Sequence, residues 1–96
     1  MRVLLVEDEP DLRSAIKRTL NKHNYIVDWV LNGEEAWDYL EDTSLEYDLA
    51  IFDWLLPGLS GLELLQRLRY QNNPLPVLML TAKDTMEDKV IGLNAG

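Results

Sequence analysis

Residues 49–61 read Leu49-Ala50-Ile51-Phe52-Asp53-Trp54-Leu55-Leu56-Pro57-Gly58-Leu59-Ser60-Gly61. Four apolar residues run without alternation into one carboxylate. A strand buried on both faces reads this way, and such strands belong to parallel sheets covered by helices. Pro57, Gly58 and Gly61 punctuate the loop behind it. Ser60 and Glu63 then form the S-x-x-E pattern of a capping box, ahead of Leu62, Leu65 and Leu68. The stretch is therefore strand, carboxylate, turn, helix.

The same order recurs on both sides. Val3-Leu4-Leu5-Val6 is a second unbroken apolar run, closed by Glu7-Asp8. Pro10 suits the first turn of a helix, and Leu12, Ile16 and Leu20 recur at helical spacing to about His23. Tyr25 to Val30, rich in Val, Ile, Tyr and Trp, predicts a strand. Asn32 caps a helix from about Gly33 to Leu40, with Ala36, Trp37 and Leu40 on its apolar side. Asn72-Asn73-Pro74 stops the helix that follows residue 61. Val77 to Leu80 predicts a fourth strand, ending at Thr81. Asp84 and Glu87 repeat the capping logic before Met86, Val90 and Leu93, which predicts a fourth helix. This alternation of strand and helix predicts an α/β fold with a doubly wound parallel sheet. With right-handed crossovers, the flavodoxin-like strand order 2-1-3-4 suits a chain of this size.

The chain has 96 residues, enough for one domain. Nine Lys and Arg against seventeen Asp and Glu give a net charge of −8, which argues against a nucleic-acid surface on these residues. The absence of cysteine excludes disulfides, thiolate metal sites and Cys nucleophiles, and one histidine leaves no His-built metal or triad site. No apolar run approaches the roughly 20 residues of a membrane span. The chemistry open to the chain is that of oxygen ligands.

Three polar positions end three apolar strands: Glu7-Asp8, Asp53 and Thr81. Parallel strands share a direction, so these groups gather at one carboxyl edge. If the first and third strands are neighbours, about 4.8 Å apart, Asp8 and Asp53 converge. Carboxylates crowded in one crevice repel unless a cation neutralises them, and an all-oxygen set favours Mg²⁺ or another hard divalent ion such as Mn²⁺. No Gly-rich loop follows the first strand and no G-x-S-x-G elbow is present, so nucleotide-cradling and serine-hydrolase sites are excluded. Asp8 has a plainer reading as a helix cap, and Asp53 as a turn former. Trp29, Trp37 and the leucines at 62, 64, 65 and 68 read as packing residues, and His23 as a surface group at a helix end.

The runs V-E-D-E-P, I-F-D-W-L-L-P-G-L-S-G and L-M-L-T-A-K-D, in this order and spacing, closely resemble the receiver domain of two-component response regulators. The similarity covers all 96 residues, and residues 81–96 look most like the OmpR-like class, whose members carry a winged-helix DNA-binding domain. The resemblance implies that Asp53 accepts a phosphoryl group from a partner histidine kinase. It implies that Asp8 and Asp53 bind Mg²⁺, with Glu7 acting through water and Leu55 through its backbone carbonyl. Thr81 would hydrogen-bond a phosphoryl oxygen and act in the switch. The apolar Leu55 side chain would hinder the hydrolytic water. Lys89, Val90 and Leu93 would sit on a fourth-helix face used for self-dimerisation. A cytoplasmic signalling protein that controls transcription is the expected whole.

Measured against the family pattern, residues 1–96 form a receiver that stops before the fifth strand and fifth helix. The family's phosphoryl-contacting Lys, the aromatic partner of Thr81 and the output domain would all fall beyond Gly96. The fourth strand is then expected to be an open edge. Two other function classes compete. A haloacid-dehalogenase-type Mg²⁺ phosphohydrolase also uses an Asp nucleophile, but it needs a second Asp two residues on, where this chain has Leu55. A flavin binder would want Ser, Thr and Gly after the first strand, where this chain has Glu7-Asp8-Glu9. A degenerate receiver acting as a phosphate-independent interaction module is the third alternative.

Overall fold

The computed structural model describes residues 1–54, 56 and 58–80, together with the backbone of 90–93. Its elements are β1 (Arg2–Val6), α1 (Pro10–Lys22), β2 (Ile26–Val30), α2 (Gly33–Glu41), β3 (Leu49–Asp53), α3 (Gly61–Tyr70), β4 (Val77–Leu80) and β5 (Val90–Leu93). The sheet order is β2-β1-β3-β4-β5. The first four strands are parallel and in the expected order 2-1-3-4.

The predicted fourth helix is corrected at its end. Val90 to Leu93 form a strand, antiparallel to β4, with Leu80 opposite Val90 and Leu78 opposite Leu93. Val90 and Ile91 are β-branched and Gly92 is a poor helix former, so the segment favours extended backbone. Pairing also satisfies the N–H and C=O groups along β4 that would otherwise form an open edge. Val90 and Leu93 therefore do not share a helical face for dimerisation, and Lys89 lies outside the described residues.

The apolar runs are continuous because both sheet faces are covered. Side chains alternate across the sheet. Leu4, Val6, Ala50, Phe52, Val77 and Met79 point to one face, against Ala36 of α2 and Leu64, Leu65 and Leu68 of α3. Val3, Leu5, Ile51 and Leu80 point to the other, where Leu12, Ile16 and Leu20 of α1 cover them. The α1 cover is thin: none of its residues is buried.

Local chemistry sets the helix starts. Glu9 caps α1, accepting from the backbone N–H of Asp11 at 3.2 Å and of Leu12 at 2.6 Å, with Pro10 in the first turn. Asn32 caps α2 through the Glu35 N–H, 2.9 Å away. Ser60 caps α3, accepting from the Glu63 N–H at 3.2 Å, as its motif predicts. At the ends of α1 and α3, Asn24 and Asn72 take positive φ values of 63° and 59°, a conformation that Asn tolerates well. Gly61 is required by space: a Cβ there would lie 2.2 Å from the Asp53 carbonyl oxygen.

A polar latch ties the amino ends of the strands. Asp28 accepts from Arg2 Nε at 2.9 Å and from the Tyr47 hydroxyl at 2.6 Å. The Arg2 backbone N–H donates to Asp48 at 2.8 Å. Burial pushes the Tyr47 phenol above its usual range, and its hydrogen bond to Asp28 adds to the shift.

Two outcomes follow from this packing. Gly61→Ala should lower the unfolding free energy by about 1–3 kcal/mol, the ordinary cost of forcing a methyl group into a filled space, read by urea denaturation. Tyr47→Phe should cost about 1 kcal/mol at neutral pH, the net worth of one hydrogen bond. The Tyr47 pKa is raised on folding, so its contribution is complete below about pH 10, the ordinary Tyr value, and declines as pH rises above it. The stability gap between wild type and Tyr47→Phe should therefore narrow above about pH 10; a gap that stays constant there refutes the assignment.

Candidate functional site

The site sits at the carboxyl edge of the sheet, built by the pairing of β1 with β3. Val6 and Phe52 are register partners, so the next residue on each strand, Glu7 and Asp53, meet. Glu7 is held by its own backbone, whose N–H donates to the Val30 carbonyl at 3.2 Å. Asp53 ends β3 opposite Leu80, and the following N–H, of Trp54, donates to the Leu80 carbonyl at 2.7 Å. Asp8 stands exposed at the rim. Because Glu9 takes the capping role, the Asp8 carboxylate is not spent on α1.

Carboxylate oxygens of Glu7, Asp8 and Asp53 lie within 4.8 Å of one another. The environments differ: Glu7 is only 1% exposed, Asp53 is half-buried and Asp8 is exposed. Burial pushes the Glu7 carboxyl up to about 8, helped by its hydrogen bond to Asp53 and by the charges of Asp53, Asp8 and Glu9. Burial and the neighbouring carboxylates thus both disfavour a negative charge on Glu7.

The Glu7 Oε2 atom is buried and has no hydrogen-bond partner among the described residues. An orphaned buried carboxyl oxygen costs free energy, which is why such atoms are rare. A hard divalent cation would bring bound water that can donate to it, and would neutralise the like charges. The donor set consists of oxygens alone, as such cations require. The residues present therefore fit a cation of that class.

Other groups frame the site. The Trp29 indole N–H donates to the Glu7 carbonyl at 3.4 Å, and the Arg13 guanidinium stacks over the same ring, 3.7 Å from its centre. Trp29 was expected to be packing only. Glu34, in the first turn of α2, accepts from the Leu59 N–H at 3.1 Å and so reaches the loop behind Asp53. Neither contact has a local sequence signal, because each joins residues more than 20 positions apart. A concave space of about 680 Å³, lined by Leu40, Tyr47, Asp48, Asn73 and Leu75 among others, opens near the start of β3 and is remote from the carboxylates. Thr81 and Leu55 lie outside the described residues. No helix among those described is long and apolar enough to cross a membrane.

Comparison with known proteins adds to this geometry. Response regulator RppA of Synechocystis sp. is 65% identical over 96 residues, spanning all of this chain and 41% of that protein. Transcriptional regulatory protein QseB of Haemophilus influenzae is 41% identical over the same span, which is 42% of its length. The chain thus covers about two fifths of these relatives. Among solved structures, response regulator TrrA of Thermotoga maritima, determined in complex with Mg²⁺ and BeF, superposes with a TM-score of 0.77 at 38% identity. That match covers 86% of this chain and 70% of TrrA. A Francisella receiver domain matches with a TM-score of 0.79 at 31% identity, over 91% of this chain and 70% of the other. The family described as the response regulator receiver domain matches residues 3–96. With four strands in the expected order, carboxylates meeting at the β1–β3 edge and a family match over nearly its whole length, this chain belongs to the response regulator receiver domains.

Proposed function

We propose that Asp53 accepts a phosphoryl group from a sensor histidine kinase in a Mg²⁺-dependent step, and that residues 1–96 serve as the receiver unit of a longer transcription regulator. The observation that carries this reading is the meeting of the buried Glu7 with the exposed Asp8 and half-buried Asp53 at the end of the β1–β3 pair. The names of the relatives support the transcriptional part, QseB being a transcriptional regulatory protein. DNA would be bound by an output domain and not by these residues, whose net charge is −8. The unit would act in the cytoplasm as a signalling domain and not as a turnover enzyme.

Asp53 is the nucleophile. One of its carboxylate oxygens attacks the phosphorus of a phosphohistidine; the new P–O bond forms as the P–N bond breaks and the imidazole leaves. Little covalent work falls to the protein in such transfers, so positioning and electrostatics carry the rate. The β3 ladder and the Trp54 N–H bond to Leu80 fix the Asp53 backbone. Asp8 and Asp53 would hold the cation directly, Glu7 through water, and Leu55 through its carbonyl. Mg²⁺, when bound, supplies compensation for the negative charge that gathers on the phosphoryl oxygens. Thr81 would donate a hydrogen bond to a phosphoryl oxygen. The apolar Leu55 side chain would hinder entry of a hydrolytic water, which favours a long-lived aspartyl phosphate.

Intact-mass measurement after incubation with acetyl phosphate and Mg²⁺ tests the reading. One phosphoryl adduct on the wild type and none on Asp53→Asn is the expected result; equal labelling of both would refute it. Asp8→Asn should slow adduct formation by at least about tenfold, since a direct cation ligand contributes several kcal/mol to charge stabilisation. Sustained release of phosphate from a phosphomonoester would instead point to a hydrolase.

A further inference from the structure

We propose that Trp29 is a positioning residue for the Asp8–Asp53 site, clamping from the end of β2 the turn that carries Asp8. This rests on the reading of the site as a Mg²⁺-dependent phosphoryl acceptor. The ladder between β1 and β2 closes at the Val6–Val30 pair. Beyond it the chain runs through Glu7, Asp8 and Glu9 before α1 begins at Pro10. Asp8 is the middle residue of this short turn, so its carboxylate is only as fixed as the turn is.

Both ends of the turn are held. At Glu7, the backbone N–H donates to the Val30 carbonyl at 3.2 Å, and the carbonyl accepts from the Trp29 indole N–H at 3.4 Å. That carbonyl belongs to the planar peptide unit that joins Glu7 to Asp8, so the indole bond fixes the plane from which Asp8 departs. At Glu9, the side chain accepts from the Asp11 and Leu12 N–H groups, and the carbonyl accepts from the Arg13 N–H at 3.0 Å. Arg13 then links the two ends, since its guanidinium lies 3.7 Å from the centre of the Trp29 ring. The contacts form a closed circuit from Glu7 through Asp8, Glu9, Arg13 and Trp29 back to Glu7. Trp29 is 38% exposed, so burial alone does not set the direction of its ring. The guanidinium on its face and the carbonyl at its N–H do.

Mg²⁺ demands near-ideal geometry from its oxygen ligands. Without the indole N–H, the Glu7–Asp8 peptide unit would tilt more freely, and the Asp8 carboxylate would meet Asp53 in a smaller fraction of conformations. Apparent affinity for the cation falls by that fraction. Loss of one long hydrogen bond predicts a roughly two- to fivefold change.

The test uses the protein with Mg²⁺ alone, followed by NMR of the backbone amides and of the indole N–H groups of the three tryptophans. In the wild type, Mg²⁺ should shift the Asp8 and Asp53 amides and the Trp29 indole N–H with one midpoint. Trp29→Phe keeps a ring for Arg13 and removes the donor, and should weaken Mg²⁺ binding roughly two- to fivefold. Trp37→Phe makes the same exchange against the core on the other sheet face, and should leave the affinity unchanged. Arg13→Ala should speed solvent exchange of the Trp29 indole N–H. The wild-type indole response carries the test if Trp29→Phe does not fold. The inference is overturned by a folded Trp29→Phe with unchanged Mg²⁺ affinity, by Trp37→Phe weakening as much as Trp29→Phe, or by a Trp29 indole that ignores Mg²⁺ while the Asp8 and Asp53 amides respond. A wild type in which none of these groups responds overturns the cation reading itself, and the inference with it.

Discussion

The pairing of β1 with β3 is the constraint on which the site depends. Once Val6 lies opposite Phe52 in a parallel ladder, Glu7 and Asp53 cannot avoid each other. Carboxylates brought together at a partly buried edge repel and lose hydration, and this pushes the Glu7 carboxyl above its usual range. This is an unfavourable arrangement held in place by favourable burial elsewhere. Val3 to Val6 are fully buried, as are Ala50 and Phe52, and their apolar area is what keeps the two strands in register. A slip of one residue would move every side chain to the wrong face, so register is strongly specified. The acidic edge is therefore a consequence of the core: strands that must pair to bury their leucines, valines and phenylalanine bring their carboxyl ends together.

The two faces of the sheet are unequal, and the inequality places the site's supports. The α2–α3 face carries the larger core, including Phe52, Met79 and the three buried leucines of α3. Among the described residues, the α1 face has four buried strand residues covered by partly buried side chains. Elements with few buried contacts open at lower free energy than the core. The contacts that hold the loop behind Asp53 come from the well-packed side, through Glu34 and Gly33 of α2. The contact that reaches Glu7 from the thinner side is a stack, Arg13 over Trp29, with the indole N–H on the Glu7 carbonyl. A guanidinium over an indole contributes about 0.5–1 kcal/mol when exposed, so this support is the weaker of the two.

Most of the fold was legible because the apolar runs and their punctuation lie within short windows. Leu49 to Phe52 and Val3 to Val6 have no other sensible home than a two-sided sheet, and Ser60-x-x-Glu63 marks a helix start by itself. The site followed from topology, since both strands run the same way into acids. What sequence could not show was set by tertiary alternatives. Residue type favours Asp8 as the cap of α1, and only the structure shows Glu9 in that role. Val90 to Leu93 carry helix-like spacing and strand-like residues together, and an unpaired β4 edge decides between them. The partners of Glu34 and Trp29 depend on which loops the crossovers bring near, which no local pattern encodes.

A carboxylate that stays in place and a loop that turns make physically different demands on the chain. The strand end answers the first, because the ladder on β1 and β4 leaves Asp53 little freedom. The second cannot be met by sheet hydrogen bonds, since the chain must leave the sheet to turn into α3. Buried backbone groups in such a turn still need partners. For the Leu59 N–H, the partner is a carboxylate from another helix and not a neighbour in the turn. A turn closed by its own residues could be moved without consequence elsewhere. Here the turn meets α2 directly at Gly58 and Leu59. The close approach is possible because two glycines, Gly33 and Gly58, lack the Cβ atoms that would have met Leu59 and the Glu34 carboxylate.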